Sequence, residues 1–513
     1  MTTMSAPKQP PFLVATLPLL TLIGMAFMST MYWKIGMLVP IIAGIAVAGI
    51  IGRALGHSWR ELEQSLAEGV SKALPAVFIL IVIGMIVGTW ISGGVIPTLV
   101  YYGLSIIDPS LFLPLACLIT GFISLVLGSS FTSIATIGLA FMAIGEGMGM
   151  PLPIVAGAVI SGAFFGDKLS PLSDTTNVAP AMVGEGLFPH IRHMLWDTIP
   201  ALAISAALYW IIGLNIVSGS ASASSGRDAI LSGLDAQFTI HPLLLIVVVL
   251  ALVLIAMRIP AIPALLLIAV MGGATALLVQ GKSIAEVLQA TTSGYVSETG
   301  QEAIDNLLSN GGITSMFETI ALVVVATALG GILERTGIFS ALIDPLVRRI
   351  KRAGSLIAAT IFATFLVGFS SGAQFLAIIL PARGFLASYK RMNLSPLNLS
   401  RAVEAAGTVG INLVPWGVPA VFAAGVFGLA PMEFIPWILF AFIVPLLNVI
   451  YGYTGFSIKR LDPAKAAGGR AAAADADDAG ADADDEHADG SGAENTGAEN
   501  TRPEGKSPDD AVR

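Results

Sequence analysis

The sequence predicts an all-α polytopic membrane protein made of two inverted repeats, each of about five crossings plus a hairpin, with broken helices at the repeat interface. Three observations predict it. The 513 residues are 55% hydrophobic and only 12% charged, with a mean hydropathy of +0.83. A soluble chain would carry about 25% charged residues. Apolar runs of about 20 residues, the length that crosses a bilayer as a helix, recur along the chain. Two longer apolar stretches are each interrupted by small polar residues, and the interruptions lie 241 residues apart.

Crossings are expected at about 11–30, 36–55, 75–94, 152–186, 194–214, 241–257, 259–280, 315–333, 402–426 and 435–455, the segments 152–186 and 402–426 being interrupted. The stretches 109–147 and 354–387 read as hairpins with polar tips, Gly128-Ser129-Ser130-Phe131-Thr132-Ser133 and Phe369-Ser370-Ser371-Gly372. Trp59 to Leu66 reads as an amphipathic helix at the membrane surface, and Glu318 as an interfacial acid. Basic residues set the orientation. Arg53, Arg60, Lys72, Arg192, Arg258, Arg348-Arg349-Lys351-Arg352, Lys390-Arg391 and Lys459-Arg460 all belong in the cytoplasm by the positive-inside rule. Ten crossings satisfy every cluster if both hairpins return to the side they left; Lys282 is a weak exception. The first hairpin then starts outside, between Asp108 and Glu146, and the second inside, between Lys351-Arg352 and Arg383. Both termini come out cytoplasmic. Only Lys8 precedes the first span and no small-residue cleavage site follows it, so that span is expected to be retained.

These boundaries give a first transmembrane repeat at 1–214, an extracytoplasmic linker at 215–240, a second, inverted repeat at 241–458 and an acidic cytoplasmic tail at 459–513. The tail holds 14 acids and 7 bases, and so accounts for most of the net charge of −8. Its Ala-Asp-Gly composition cannot bury enough apolar surface to fold, so disorder is expected.

The repeat rests on a shared order of breaks. A shift of 241 residues carries Gly166 onto Gly407 and the span from 194 onto the span from 435. Gly88 to Ile96 falls near Gly330 to Ile338. An odd number of crossings per half turns the second half upside down. Inverted repeats with broken helices place the site of a secondary transporter at the repeat interface, near mid-membrane.

The polar residues at the breaks suit a small hard cation, which takes oxygen from carboxylates, hydroxyls, amides and freed backbone carbonyls. In the first half, Asp167 and Asp174 flank Pro171, and Ser173, Thr175, Thr176 and Asn177 complete an oxygen-rich cluster. Sodium is expected at Asp174 and Thr175. Asp174 could instead cap the half-helix that follows. Asp167 and Lys168 could form a surface ion pair, or Lys168 could hold the site closed when it is empty. In the second half, Glu404, Thr408 and Asn412 recur at four-residue spacing on one helical face. Glu404 could alternatively pair with Arg401 at the membrane surface. Ser129, Ser130, Ser370 and Ser371 at the hairpin tips either coordinate an ion or satisfy the hairpin backbone.

Cys117, the sole cysteine, lies in an apolar run and reads as a packing residue. Five histidines without metal-ligand spacing make a zinc site improbable. Nucleotide loops and nucleophile–base pairs are missing, so an enzyme is disfavoured, and the paired breaks argue against a passive channel. No cofactor is expected beyond the transported Na+ and H+. The bilayer and small ions are the expected partners, nucleic acid is not, and a homodimer stays open.

The segment Gly162 to Asn177, reading GAFFGDKLSPLSDTTN, closely resembles the signature of NhaC-type sodium/proton antiporters. Gly330 to Gly337 and the stretch Gly407-Thr408 to Pro415-Trp416 are similar as well, and the likeness spans roughly residues 10 to 455. The resemblance implies a prokaryotic inner-membrane protein of the ion transporter superfamily that exchanges sodium for protons. In some relatives it implies sodium and lactate exchanged for malate and protons. Where members often carry acid-Ser-Gly-Thr, this chain has Glu404-Ala405-Ala406-Gly407-Thr408, leaving Glu404 and Thr408 as the nearby polar side chains.

Overall fold

A computed structural model of the chain describes residues 9–461, apart from 34, 220–222, 258, 298–304, 306, 307, 310, 348, 349 and 351. Lys8, Arg258, Arg348, Arg349, Lys351 and the tail from 462 onward therefore lie outside the described residues. What is described is helical, with an isolated antiparallel bridge between Leu394 and Arg460.

The first half runs α1 (Phe12–Met28), α2 (Leu38–Ala54), α3 (Trp59–Ser71), α4 (Leu74–Ser92), α5 (Val95–Ile106), α6 (Pro109–Leu127), α7 (Ser130–Gly147), α8 (Leu152–Leu169), α9 (Asp174–Val183) and α10 (Leu187–Gly219). A connecting helix α11 (Ala223–Gln237) leads to the second half. There the order is α12 (Leu245–Ala256), α13 (Ala261–Leu278), α14 (Ile284–Ser293), α15 (Phe317–Arg335), α16 (Ile338–Val347), α17 (Ala353–Ser371), α18 (Gln374–Arg391), α19 (Pro396–Glu404), α20 (Val418–Phe427) and α21 (Leu439–Thr454). Among the described residues, eight helices are long and apolar enough to cross a membrane, or up to eleven if each bent pair is one span. The stretch 215–240 is thus largely helical. Three short helices, α5, α14 and α16, fall outside the expected crossings.

Some local devices recur in the two halves. The surface helix α3 begins at a capping box in which Ser58 and Glu61 satisfy each other's backbone N–H, and α14 begins at the same device in Ser283 and Glu286. The Ser58 hydrogen bonds hold the Glu61 carboxyl below the usual carboxylate range, and Arg335 at the end of α15 adds a smaller pull in the same direction. Partners are exchanged between halves. Helix α15 packs on α2 and α3, while α4 packs on α13 and α14; likewise α1 meets α16 and α12 meets α5.

Glycine makes the closest of these contacts. A Cβ at Gly331 of α15 would lie 2.1 Å from the Ser65 carbonyl oxygen of α3, and one at Gly69 of α3 would lie 2.2 Å from that of Thr327. At Gly88 of α4 it would lie 2.0 Å from the Ala290 oxygen of α14. Close backbone approach through small residues is the usual basis of helix association in lipid, where burial alone drives little.

Both expected hairpins are present. Helices α6 and α7 meet at Gly128-Ser129, and α17 and α18 at Gly372-Ala373, with Gly128 (φ +71°) and Gly372 (φ +62°) in the left-handed region that ends each first arm. Arm α6 lies along α8 at backbone distance, since a Cβ at Gly162 would come within 2.0 Å of the Cys117 oxygen. Cys117 is buried there as a packing residue. Both interrupted helices are also present. Helix α8 stops at Leu169 and α9 resumes at Asp174. Helix α19 runs through a π-turn at Ala405–Val409 and a 3-10 turn at Gly410–Leu413 before α20, with a bend of 42°.

Candidate functional site

A cavity of about 840 Å³ lies where the two hairpin tips meet the first break. Gly128, Ser129 and Thr132 line it from the first tip, Ala373 and Gln374 from the second, and Asp167, Ser173, Asp174 and Thr175 from the break. Lys72, Ile79, Phe131 and Phe375 belong to its wall as well. The second tip is tied in place: Val418 N–H donates to the Gly372 oxygen at 2.9 Å, and Trp416 Nε1 donates to the Phe369 oxygen at 2.7 Å.

Asp167 lies in the last turn of α8 and is 6% exposed. Ser130 donates to its Oδ2 at 2.6 Å, and Ser173 stands beside the same carboxyl. Ser173 and Thr175 hydroxyls are 3.1 Å apart. Asp174 is exposed in the first turn of α9, with Ser173 in the cap position before it. Of the two acids flanking Pro171, Asp167 is therefore the enclosed one, and Asp174 is not the cap residue itself.

Two residues of the cluster hold the break together. Thr176 Oγ1 donates to the carbonyls of Asp167 and Lys168 at 3.0 and 3.1 Å, satisfying acceptors orphaned where α8 stops. Asn177 Nδ2 donates to the Pro171 and Ser173 oxygens at 2.9 and 2.7 Å. The second tip is also self-satisfied: Ser370 and Ser371 donate to the carbonyls of Leu366 and Val367 in their own helix. Ser129 accepts from the Thr132 backbone and hydroxyl.

Lys168 does not pair with Asp167. Its ammonium lies 3.5 Å from Asp197 Oδ2 on α10, both side chains fully buried. Met194 Sδ is 3.2 Å from the same nitrogen. Asn448 of α21 donates to Asp197 Oδ2 at 2.6 Å, and Thr198 to Oδ1 at 3.2 Å. Arg401 does not pair with Glu404 either. It is buried and donates to Ser457 Oγ at 2.8 Å. Nearby, His190 Nδ1 lies 2.9 Å from Ser400 Oγ across α10 and α19.

Glu404 is wholly buried at the end of α19. Thr408 donates to its Oε1 at 2.7 Å, whereas Oε2 has no hydrogen-bond partner at ordinary distance. Lys168, Asp167 and Thr175 are its neighbours from the first half. Gln374 Nε2 and Asn412 Nδ2 donate to the Thr408 carbonyl at 3.3 and 3.4 Å, and Asn412 Oδ1 is unpartnered. π-turns of this kind occur frequently at functional sites. The two broken segments are thus brought together, Asp167 at the cavity wall and Glu404 behind Thr175.

Asp197, Asn448, Gln374 and Arg401 belong to this polar interior although the crossing pattern did not single them out. Asp197, Asn448 and Gln374 each had a signal: an acid or amide inside an apolar run is costly in lipid and so marks a protein-facing position. Among the described residues no group of three or more His, Cys, Asp or Glu side chains could hold a metal ion in the manner of a resident site.

Many apolar helices around two interrupted ones, with buried carboxylates beside a cavity, define an integral membrane protein of secondary-transporter build. The chain belongs to the Na+/H+ antiporter family, whose profile matches residues 1–171 and 162–456. It is 39% identical over 421 residues to the Na+/H+ antiporter NhaC of Alkalihalophilus pseudofirmus, covering 82% of this chain and 90% of that one. It is 36% identical to the malate-2H+/Na+-lactate antiporter of Bacillus subtilis, covering 80% and 87%. It is 32% identical to the arginine/ornithine antiporter ArcD of Halobacterium salinarum, covering 90% and 95%.

Proposed function

We propose that this protein exchanges sodium ions for protons across the prokaryotic cytoplasmic membrane by alternating access. The observation that carries the reading is Asp167, enclosed by protein yet at the wall of a cavity, with Ser130 on its carboxyl and Ser129, Ser173 and Thr175 around the same space. A buried carboxylate must be neutralised, and either a proton or a small cation can do it. Hydroxyl and carbonyl oxygens supply the remaining ligands that a hard cation needs. The names of the sodium-exchanging relatives favour sodium as that cation. Asp167 with Thr175 takes the place expected for Asp174 with Thr175, and exposed Asp174 draws cations into the cavity. Lys72 in the cavity wall belongs to a basic connection, which supports a cavity open to the cytoplasm and cytoplasmic termini. The exchanged partners of the two halves suit an inverted pair rocking about this site.

A second reading is favoured by the size of the cavity: about 840 Å³ is far more than one ion fills, and Phe131, Phe375 and Ile79 give it an apolar wall. Sodium- and proton-coupled exchange of a small carboxylate, such as malate and lactate, would use that space. Proteoliposomes decide between the two. Sodium-driven pH change without organic solute supports sodium/proton exchange, and a strict requirement for malate or lactate transfers the reading to the carboxylate exchanger.

A further inference from the structure

We infer that the cavity at the hairpin tips takes an organic ammonium ion in competition with sodium, its head on the carboxylates of Asp167 and Asp174 and its apolar body against Phe375, Phe131 and Ile79. The inference rests on the sodium/proton reading above for the place of the sodium, and adds a ligand class to the same site.

The size and lining of the cavity ask for more than an ion. Six waters around a cation fill about 180 Å³ at about 30 Å³ each, a small part of the 840 Å³ enclosed. Cavities of several hundred Å³ with a mostly apolar lining and a few convergent polar groups are the form that small organic ligands fill. Two large apolar side chains of the lining, Phe375 and Leu172, are 40% and 41% exposed. Leu172 stands in the break itself, between Asp167 and Asp174 in the chain, so apolar surface and carboxylates adjoin. The Phe131 ring packs edge-on against Phe422, with centroids 4.6 Å apart, which fixes the wall on that side.

Charge decides the sign of the occupant. Among the described residues, the charged side chains of the lining are Lys72, Asp167 and Asp174. Lys72 is already engaged, its Nζ lying 3.1 Å from Glu334 Oε2 on α15. Lys168, next in the chain to Asp167, is turned to Asp197. Neither Asp167 nor Asp174 has an ion-pair partner among the described residues. An organic anion would therefore meet two carboxylates and a lysine that is spent elsewhere. A cation is drawn to the same place. A primary ammonium brings three donors, and the two carboxylates with the Ser129 and Ser173 hydroxyls offer acceptors for them. Aromatic faces in the wall add a weaker attraction for the same charge. Size thus favours an organic occupant, and charge makes it a cation in place of the carboxylate of the second reading. Head and sodium need the same carboxylates, so binding is mutually exclusive.

The test is calorimetry on the purified full-length protein in detergent at fixed pH and ionic strength, with a monodisperse chromatographic peak as the folding control. Hexylamine should bind and raise the apparent sodium Kd in proportion to its concentration. Each buried CH2 should tighten binding about two- to fourfold, so hexylamine should bind at least tenfold tighter than ethylamine. Hexanol and hexanoate, of the same length but neutral and anionic, should leave the sodium Kd unchanged. Asp174→Asn should weaken hexylamine severalfold, and Phe375→Ala should weaken it at least threefold while changing ethylamine little. Ethylamine as tight as hexylamine overturns the inference, as does hexanol or hexanoate competing as well as the amine, or a sodium Kd indifferent to hexylamine. A wild type that binds no sodium sinks the sodium/proton reading instead. The ammonium site then stands or falls on the hexylamine titration itself: chain-length dependence lost in Asp167→Asn supports it, and no binding overturns it.

Discussion

Ser130, two residues past the tip glycine of the first hairpin, donates its hydroxyl to Asp167 Oδ2 at 2.6 Å, joining elements 37 residues apart in the chain. The contact is possible because α6 lies along α8 at backbone distance and Gly128 turns the chain back over the break. A Cβ at Gly128 would come within 2.5 Å of Leu172. Removing the hydroxyl by Ser130→Ala should therefore act on the ion site and little on the fold. A hydrogen bond to a charged group contributes about 1.5–3 kcal/mol, so the sodium KM is expected to change by about 10- to 100-fold, read by sodium-jump pH assays in proteoliposomes. An unchanged KM would mean that Ser130 serves the hairpin alone.

The buried pair Lys168–Asp197 should be worth most when one member is missing. Asp197→Asn leaves the enclosed Lys168 ammonium without its ion-pair partner, at a cost of about 3–5 kcal/mol. Lys168→Met in the same background removes the uncompensated charge and should recover much of that loss. Thermal unfolding in detergent measures both. A double variant no more stable than Asp197→Asn would show that the pair does not stabilise through mutual neutralisation.

Hairpins and broken helices were legible in the sequence because glycine, serine and proline inside apolar runs have few explanations in lipid. The exchange of partners between halves was not, since it depends on which glycines meet which carbonyls: Gly331 on Ser65 and Gly88 on Ala290 leave no mark in hydropathy. The motif around Asp174 drew attention to the break that lines the cavity, but which of its two acids is enclosed depends on burial, and burial is a tertiary property. The partners of Lys168 and Arg401 were hidden for the same reason, being set by side chains 29 and 56 residues away, Asp197 and Ser457.

Crowding those glycine contacts should separate packing from transport. Gly331→Ala puts a methyl 2.1 Å from the Ser65 oxygen, and Gly88→Ala puts one 2.0 Å from that of Ala290. Overpacking costs about 1–3 kcal/mol, so each should lower the melting temperature of the purified protein by several degrees. The two contacts recur between the halves, so similar losses are expected at both. A neutral Gly331→Ala would show that α3 is free to retreat from α15.

The hairpins should open toward opposite sides of the membrane. The acids Asp108 and Glu146 flank the first, while Arg352 and Arg383 flank the second, and basic flanks stay inside. Single cysteines at Asp108 and Arg352, with Cys117 replaced by Ala, report this through a membrane-impermeant maleimide on intact cells and inverted vesicles. Asp108→Cys should react from outside and Arg352→Cys from inside. Labelling of both from one side would rule out the inverted arrangement.

Asp174 and Asp167 should behave differently when each becomes an amide. Asp174 is exposed in the first turn of α9, so Asp174→Asn removes a charge from the cavity wall while keeping shape and position. Its contribution is to attract cations, and a single exposed charge in high dielectric contributes about 1 kcal/mol or less. The sodium KM should therefore rise severalfold, more at low ionic strength, with the maximal rate kept. Asp167→Asn removes the enclosed carboxylate that any bound sodium must neutralise, and Ser130 then faces a neutral amide. Exchange should fall to background in a protein that inserts and purifies normally. The opposite pattern, background exchange in Asp174→Asn beside a near-normal Asp167→Asn, would return the coupling role to Asp174 and require α9 to close over the cavity during the cycle.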